Sequence, residues 1–248
     1  MLPNFLHIGA AKCASSWLWR VCVEHPDIYV PDPPDNVNFF TVHHHRGLAW
    51  YEKTYFNACA GQRAVGEFSN SYMVFEPALD RIARHLPDVR LTVTLRHPVD
   101  RAYLQWAHIH LKNKPFGLDP SKGIELPLEK VVHHHGHSWF RLWIEPSLYA
   151  HLLERVYRRF SRDRVLVTFH EDLCEDPRGF LRSYFRFLGV DEGFESTLIG
   201  REVNPDAAQA DPVRAMDPAL RAELIEVCRD DVLKLSDMTG RDLSHWLR

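Results

Sequence analysis

Short apolar runs alternate along this chain with stretches whose apolar residues recur at helical spacing. Phe5, Leu6 and Ile8 fall in a run at 4–9, and similar runs stand at 64–68, 90–96 and 164–169. A shorter one is Ile28-Tyr29-Val30. These predict strands, because a strand buried on both faces reads as continuous hydrophobicity rather than alternation. Between them, apolar residues spaced three and four apart predict helices over 15–25, 47–58, 76–86, 98–112, 147–160, 177–188 and 217–235. Strands separated by helices pair in parallel through right-handed crossovers. The expected fold is therefore α/β, a doubly wound sheet of about five mostly parallel strands with helices on both faces. The segment 113–146, broken by Asn113, Pro115, Gly117, Pro120, Gly123 and Pro127, is expected to be a lid over the site. The stretch 191–216, with Pro205 and Pro212, is expected to be irregular. No repeat or linker divides the chain, so residues 1–248 are expected to be one domain.

The first strand runs into Gly9-Ala10-Ala11-Lys12-Cys13-Ala14-Ser15-Ser16-Trp17. Small residues, one lysine and two serines at the start of a helix make an anion cradle: the helix offers N–H groups and a positive dipole end, and Lys12 adds a full charge. The fold is P-loop-like in this respect, yet the spacing is not that of a nucleotide kinase or NTPase. Those carry G-x-x-x-x-G-K-[S/T] with a Mg²⁺-binding hydroxyl after the lysine, whereas here Gly9 lies three residues before Lys12 and Cys13 follows it. The strand at 90–96 ends in Arg96, where a metal-binding aspartate would be wanted, and Arg101 follows on the first turn of the next helix. Arg96 falls at the carboxyl end of its strand, where open parallel sheets bind ligands. The pattern points to a phosphate-rich ligand held by cations and backbone, without metal.

Gly9-Ala-Ala-Lys12-Cys-Ala-Ser15-Ser16 together with Arg96-His-Pro98-Val-Asp-Arg101 resembles the two nucleotide-binding signatures of sulfotransferases that use 3′-phosphoadenosine 5′-phosphosulfate (PAPS), in the bacterial stand-alone and heparan-sulfate-modifying flavour. Further matches follow in order. They are His25-Pro26-Asp27, Asn36-Val-Asn38-Phe39-Phe40 (against E-x-x-F-F), Gly47-Leu-Ala-Trp50-Tyr51, Gly66-Glu67-Phe68-Ser69-Asn70-Ser71-Tyr72 (against G-E-K-[S/T]-P-x-Y), Ser147-Leu-Tyr149 and Phe187-Leu-Gly189-Val190. The resemblance covers about residues 3–190. It implies in-line sulfuryl transfer from PAPS to a hydroxyl or amine of a small-molecule, lipid or glycan acceptor, leaving PAP, with no metal. It also implies that Ala11, Lys12, Cys13, Ala14, Ser15, Ser16 and Trp17 hold the 5′-phosphosulfate and that Arg96, backed by Arg101, holds the 3′-phosphate. Tyr149 is implied near the nucleotide, and Arg201 is the candidate cation of a covering loop. Asn36, Asn38, Trp50 and Tyr51 are implied at the acceptor.

The departures are as informative. The glutamate that often serves as base is Asn36, the lysine after Glu67 is Phe68, and a serine expected near the 3′-phosphate is Leu104. An amide removes no proton. Candidate bases are then Glu67, Asp35, His43, His45 and His137; an easily ionised acceptor is the alternative, and a non-catalytic PAP-binding relative is another. A metal reading of His43-His44-His45 and His133-His134-His135-Gly136-His137 fails on spacing, since three neighbours in a row do not face one ion.

Composition narrows the picture further. A formal net charge of −3 gives no support for nucleic acid as the main partner. Five scattered cysteines without a CxxC pair suggest a reducing compartment. Lys12 interrupts the early apolar stretch, so neither signal peptide nor membrane span is expected, and the expected location is cytoplasmic. Nothing in the pattern speaks to oligomeric state.

Overall fold

The computed structural model describes residues 1–32, 36–111, 143–200 and 216–248. Five strands form one sheet: β1 (Phe5–Gly9), β2 (Ile28–Tyr29), β3 (Ala64–Phe68), β4 (Arg90–Leu95) and β5 (Val165–Phe169), in the order β2-β3-β1-β4-β5, every pairing parallel. All five residues of β1 and of β3 are buried, as in a sheet covered on both faces. The helices are α1 (Ser15–Glu24), α2 (Leu48–Tyr55), α3 (Glu76–His85), α4 (Pro98–Leu111), α5 (Tyr149–Tyr157), α6 (His170–Glu175), α7 (Pro177–Leu188) and α8 (Pro218–Thr239). The expected strands and helices are present within a few residues, except that α8 runs four residues further and α2 stops at Tyr55. A π-helical turn at Phe39–His43 and the short α6 were not foreseen.

The described residues form two compact units. The first, Met1–Arg96 with Glu154–Pro205, holds the whole sheet. Its main core joins Phe5, Ala64 and Phe68 of the sheet to Trp17, Leu18, Val21 and Cys22 of α1 and to Phe180, Leu181, Tyr184 and Phe185 of α7. Gly66 is required there: a Cβ at this position would lie 2.4 Å from the Phe5 ring. Successive strand residues face opposite sides, so Glu67 points away from this core, toward Tyr51 of α2. Helix α7 is closed by Asp176, which accepts from the Gly179 N–H at 2.9 Å, and by left-handed Gly189.

The second unit, His97–Leu153 with Asp206–Arg248, packs Val99, Ala102, Trp143 and Ile144 with Leu220, Leu224 and Ile225 of α8. Asp217 caps α8 by accepting from the Ala219 and Leu220 N–H groups. Asp231 does the same for the Ala150 and His151 N–H groups at the start of α5, at 2.9 and 3.0 Å.

Candidate active site

Because the pairings are parallel, the carboxyl ends of β1, β3 and β4 lie along one edge of the sheet. The strand order changes direction about β1, the place where open α/β sheets form a ligand crevice. Three stretches of the first unit emerge there: the loop after Gly9, the Ser69-Asn70-Ser71 turn after Phe68, and Arg96 after Leu95.

The β1–α1 loop has an unusual backbone. Lys12 and Ala14 are left-handed, at φ 70° and 64°, with Cys13 buried between them. Such alternation turns successive N–H groups inward into an anion-binding nest. Ala14 occupies the N-cap of α1, and no side chain caps the helix. The first ladder bond runs from the Leu18 N–H to the Ala14 carbonyl at 3.0 Å, so the preceding N–H groups stand outside the helical ladder. An anion completes such a helix end, which is the fit expected of a phosphate. Lys12 and Arg96 are both half-buried. The Arg96 charge reaches Cys174 of α6, partly offsetting the upward push of burial on that thiol.

The turn after β3 is tied to the segment at Asn36–Asn38. The Asn36 N–H donates to the Phe68 carbonyl at 2.7 Å, and the Asn38 N–H to Ser69 Oγ at 2.8 Å. Both asparagines are left-handed, at φ 71° and 53°, a conformation that Asn tolerates better than other non-glycine residues. Asn36 Oδ1 accepts from the Asn70 backbone N–H and from Asn70 Nδ2, each at 3.2 Å, and Asn70 Nδ2 also donates to Ser15 Oγ at 3.1 Å. A continuous polar link therefore joins position 36 to the first residue of α1.

Beneath this turn Glu67 is fully buried. Its Oε1 accepts from Tyr51 at 3.0 Å and Tyr72 at 2.7 Å, and its Oε2 from Ser69 at 2.6 Å. Burial raises its pKa to about 7 against the lowering effect of the three hydroxyls. Tyr51 is itself fully buried and stacks on Phe39 at 4.0 Å. On the other side of β3, His7 stacks on Phe68 at 4.7 Å and meets Thr92 Oγ1 at 3.1 Å, and burial drops its pKa to about 3.

The expected site residues thus separate. Lys12, Ser16, Asn36, Asn38 and Arg96 are at least partly exposed at the sheet edge. Ser15, Trp17, Glu67 and Tyr51 are buried in the first unit, Trp17 within its main core. His43 packs against Trp50 at 5.6 Å, with Arg46 over that indole at 4.5 Å, and His45 is exposed. In the second unit Arg101 is 1 % exposed, donating from Nε to Ser147 Oγ at 2.5 Å and from Nη2 to the Trp143 carbonyl. Tyr149 is fully buried in that unit, 6.2 Å from the Trp246 ring. Asp35, His137 and Arg201 lie outside the described residues, as do most of the expected lid at 113–146 and most of the irregular stretch. Among the described residues no group of three or more His, Cys, Asp or Glu side chains is placed to hold a metal ion. Sequence reading missed Asn70; the signal was there, since Asn70 stands where G-E-K-[S/T]-P-x-Y has proline.

A family profile described as "Sulfotransferase family" matches residues 40–195. The mouse heparan sulfate glucosamine 3-O-sulfotransferase 3B1 is 30% identical over 189 residues, covering 76% of this chain and 46% of that protein. The mouse bifunctional heparan sulfate N-deacetylase/N-sulfotransferase 4 is 26% identical over 280 residues, covering 100% of this chain and 31% of its own length. This chain therefore spans about half or less of the length of the curated relatives it matches. Among solved structures, a sulfotransferase from Alicyclobacillus acidocaldarius superposes with a TM-score of 0.79 at 30% identity, covering 100% of both chains. The sulfotransferase domain from the curacin biosynthetic pathway shares the fold, with a TM-score of 0.58 at 14% identity and 98% and 99% of the two chains covered. The extent of these matches leads to one conclusion: the chain belongs to the sulfotransferase family.

Proposed function

We propose that this chain, acting as one functional domain, moves the sulfuryl group of PAPS to a hydroxyl acceptor. The observation that carries this reading is the helix end of α1, uncapped by any side chain and preceded by left-handed Lys12 and Ala14, on the same sheet edge as Arg96. PAPS supplies the activated sulfuryl group and a good leaving group in PAP. The chain's own residues supply the rest. Lys12 and the N–H groups opening α1 concentrate positive charge where negative charge grows on the 5′-phosphate side, stabilising the transition state more than the ground state. Ser16, exposed on the first turn, adds a hydroxyl donor, while Ser15 is held by Asn70 and shapes the loop from below. Arg96 fixes the far end of the nucleotide and with it the register of the transferring group. Glu67, sealed under its three hydroxyls, holds the turn carrying Asn70 and does not touch the acceptor. No described helix is long and apolar enough to cross a membrane, and the five cysteines are all free, which supports a reducing, cytoplasmic setting.

A thermal-shift plate with PAP, and with ATP–Mg²⁺ beside it, tests this. Saturation to about 100 times the dissociation constant stabilises a protein by roughly 2.7 kcal/mol, so PAP should raise Tm by several degrees and ATP–Mg²⁺ by much less. A response to ATP–Mg²⁺ alone overturns the assignment.

A further inference from the structure

At position 36, where the resembling motif has a carboxylate, this chain has an amide locked in one orientation. Asn36 Oδ1 takes two hydrogen bonds from Asn70, one of them from the backbone N–H. A backbone N–H is always a donor, so Oδ1 faces inward and the exposed Asn36 side chain turns its Nδ2–H₂ group outward. Proline at position 70 would have no N–H to give; the two departures from the motif thus support each other. Among the described residues, the polar side chains bonded to Asn36 and Asn38 are neutral and linked to one another: Ser71 Oγ donates to Asn38 Oδ1 at 2.7 Å, and Thr41 Oγ1 donates to the Asn38 carbonyl and meets Ser71 Oγ, both at 3.1 Å. Asn38 Nδ2 donates to the Asn36 carbonyl at 3.0 Å. Glu67, the carboxylate bonded into this network through Ser69, is walled off by its three hydroxyls.

A group that donates at this place favours an oxygen that has already lost its proton and opposes a protonated amine. The size of the effect decides the acceptor class. A hydroxyl with a pKa near that of water, about 16, is ionised in only about one molecule in 10⁸ at pH 8. A phenol, with a pKa of about 10, is ionised in about one in 100. One or two hydrogen bonds to the charged form move a pKa by roughly one to two units, which brings a phenol into the working range and leaves an alkyl alcohol far outside it. We propose that Asn36 is a specificity-determining residue that selects acidic aryl hydroxyls, whose oxyanion its outward Nδ2–H₂ group stabilises. This rests on the sulfuryl-transfer reading above. The aryl hydroxyl releases its proton to solvent. Its oxygen then forms the new bond to sulfur while the bond from sulfur to the 5′-phosphate oxygen breaks and leaves its electron pair there, giving an aryl sulfate and PAP.

The test uses the full chain saturated with PAP and titrated with 4-nitrophenol, whose ionised form has its own absorption band. The expected result is a bound phenol with an apparent pKa about one unit below its value in free solution. Asn36→Ala should abolish that lowering, and Asn36→Glu should raise the pKa above the free value. In turnover, aryl hydroxyls should be sulfated in preference to alkyl alcohols and amines, and the break in the pH–rate profile should move with the acceptor's own pKa. An unshifted or raised pKa in the unaltered protein overturns the inference. So does failure of 4-nitrophenol to bind, a break fixed at one pH whatever the acceptor, or equal turnover of alkyl alcohols. The Tm response to PAP in the same samples separates the two layers: its absence sinks the sulfuryl-transfer reading itself, whereas its presence with any of those failures sinks only the acceptor class. The same response confirms that each Asn36 variant is folded.

Discussion

At the scale of single residues, the positions that resemble a nucleotide-binding signature divide into those that face outward and those that hold the frame. Lys12 and Arg96 are of the first kind. Lys12→Ala should reduce turnover by about 10²–10³, the usual effect of losing one positioned donor to developing charge, and Arg96→Ala should mainly weaken PAP binding, read by calorimetry. Near-full activity in the first variant or unchanged affinity in the second removes that residue from the site. Glu67 and Arg101 are of the second kind, each with its polar atoms engaged by the protein. Glu67→Gln turns two acceptor oxygens into one and faces hydroxyl donors with an amide N–H, so a loss of about 1–3 kcal/mol is expected in denaturant unfolding. The sequence could not make this division. A motif records which residue types recur together, not which of them reaches solvent, and Tyr51 and Tyr149 are buried beside residues that are not.

At the scale of elements, the strands were legible because a parallel sheet buried on both faces leaves mostly apolar runs, broken in Phe5–Gly9 only by His7 and in Ala64–Phe68 only by Glu67. The helices with full amphipathic turns and Pro or Asp at their start, α7 and α8 among them, were equally plain. The six residues of α6 are too few for a periodicity to register, and the π-helical turn at Phe39–His43 lacks the glycine or proline that would announce it. Capping separates α8 from α1. Asp217 satisfies two N–H groups of α8, so Asp217→Ala should lower stability by about 1 kcal/mol, read as a Tm shift of roughly 2–4 °C. No side chain plays that part for α1, the helix end proposed to receive the nucleotide.

At the scale of the whole molecule, two buried ionisable groups set opposing trends with pH. His7 is held from its ordinary 6.5 down to about 3, so below pH 6.5 the unfolded chain takes up a proton that the fold refuses, and stability falls toward pH 3. Glu67 is raised from 4.5 to about 7, so its folded form keeps a proton that the unfolded chain releases, and stability falls as pH rises from 4.5 to 7. Between pH 4.5 and 6.5 the two slopes offset each other. Thermal unfolding should therefore show a plateau over that interval and a fall below it. In His7→Asn the plateau should tilt, with stability rising as pH drops toward 4.5; a variant that keeps the flat profile would show that His7 has no part in it. Strand order, which brings the ends of β1, β3 and β4 to one edge, was not legible from the pattern of apolar runs. That pattern predicts that strands exist and run parallel, while their neighbours are chosen by crossovers between residues far apart in the chain.

The central position of β1 also governs how the molecule comes into being. Phe5 pairs with Gly66 on one side and Arg90 on the other, so β1 leaves the ribosome before both of its partners and is without either neighbour until much later. At about 5–20 residues per second, the second of those partners follows after roughly 4–17 s. For that interval a largely apolar strand with two open edges is exposed to other nascent chains, a hazard the finished protein no longer carries. Once both flanks are zipped, the amides of Phe5 to Ile8 should be among the last in the molecule to exchange with deuterium.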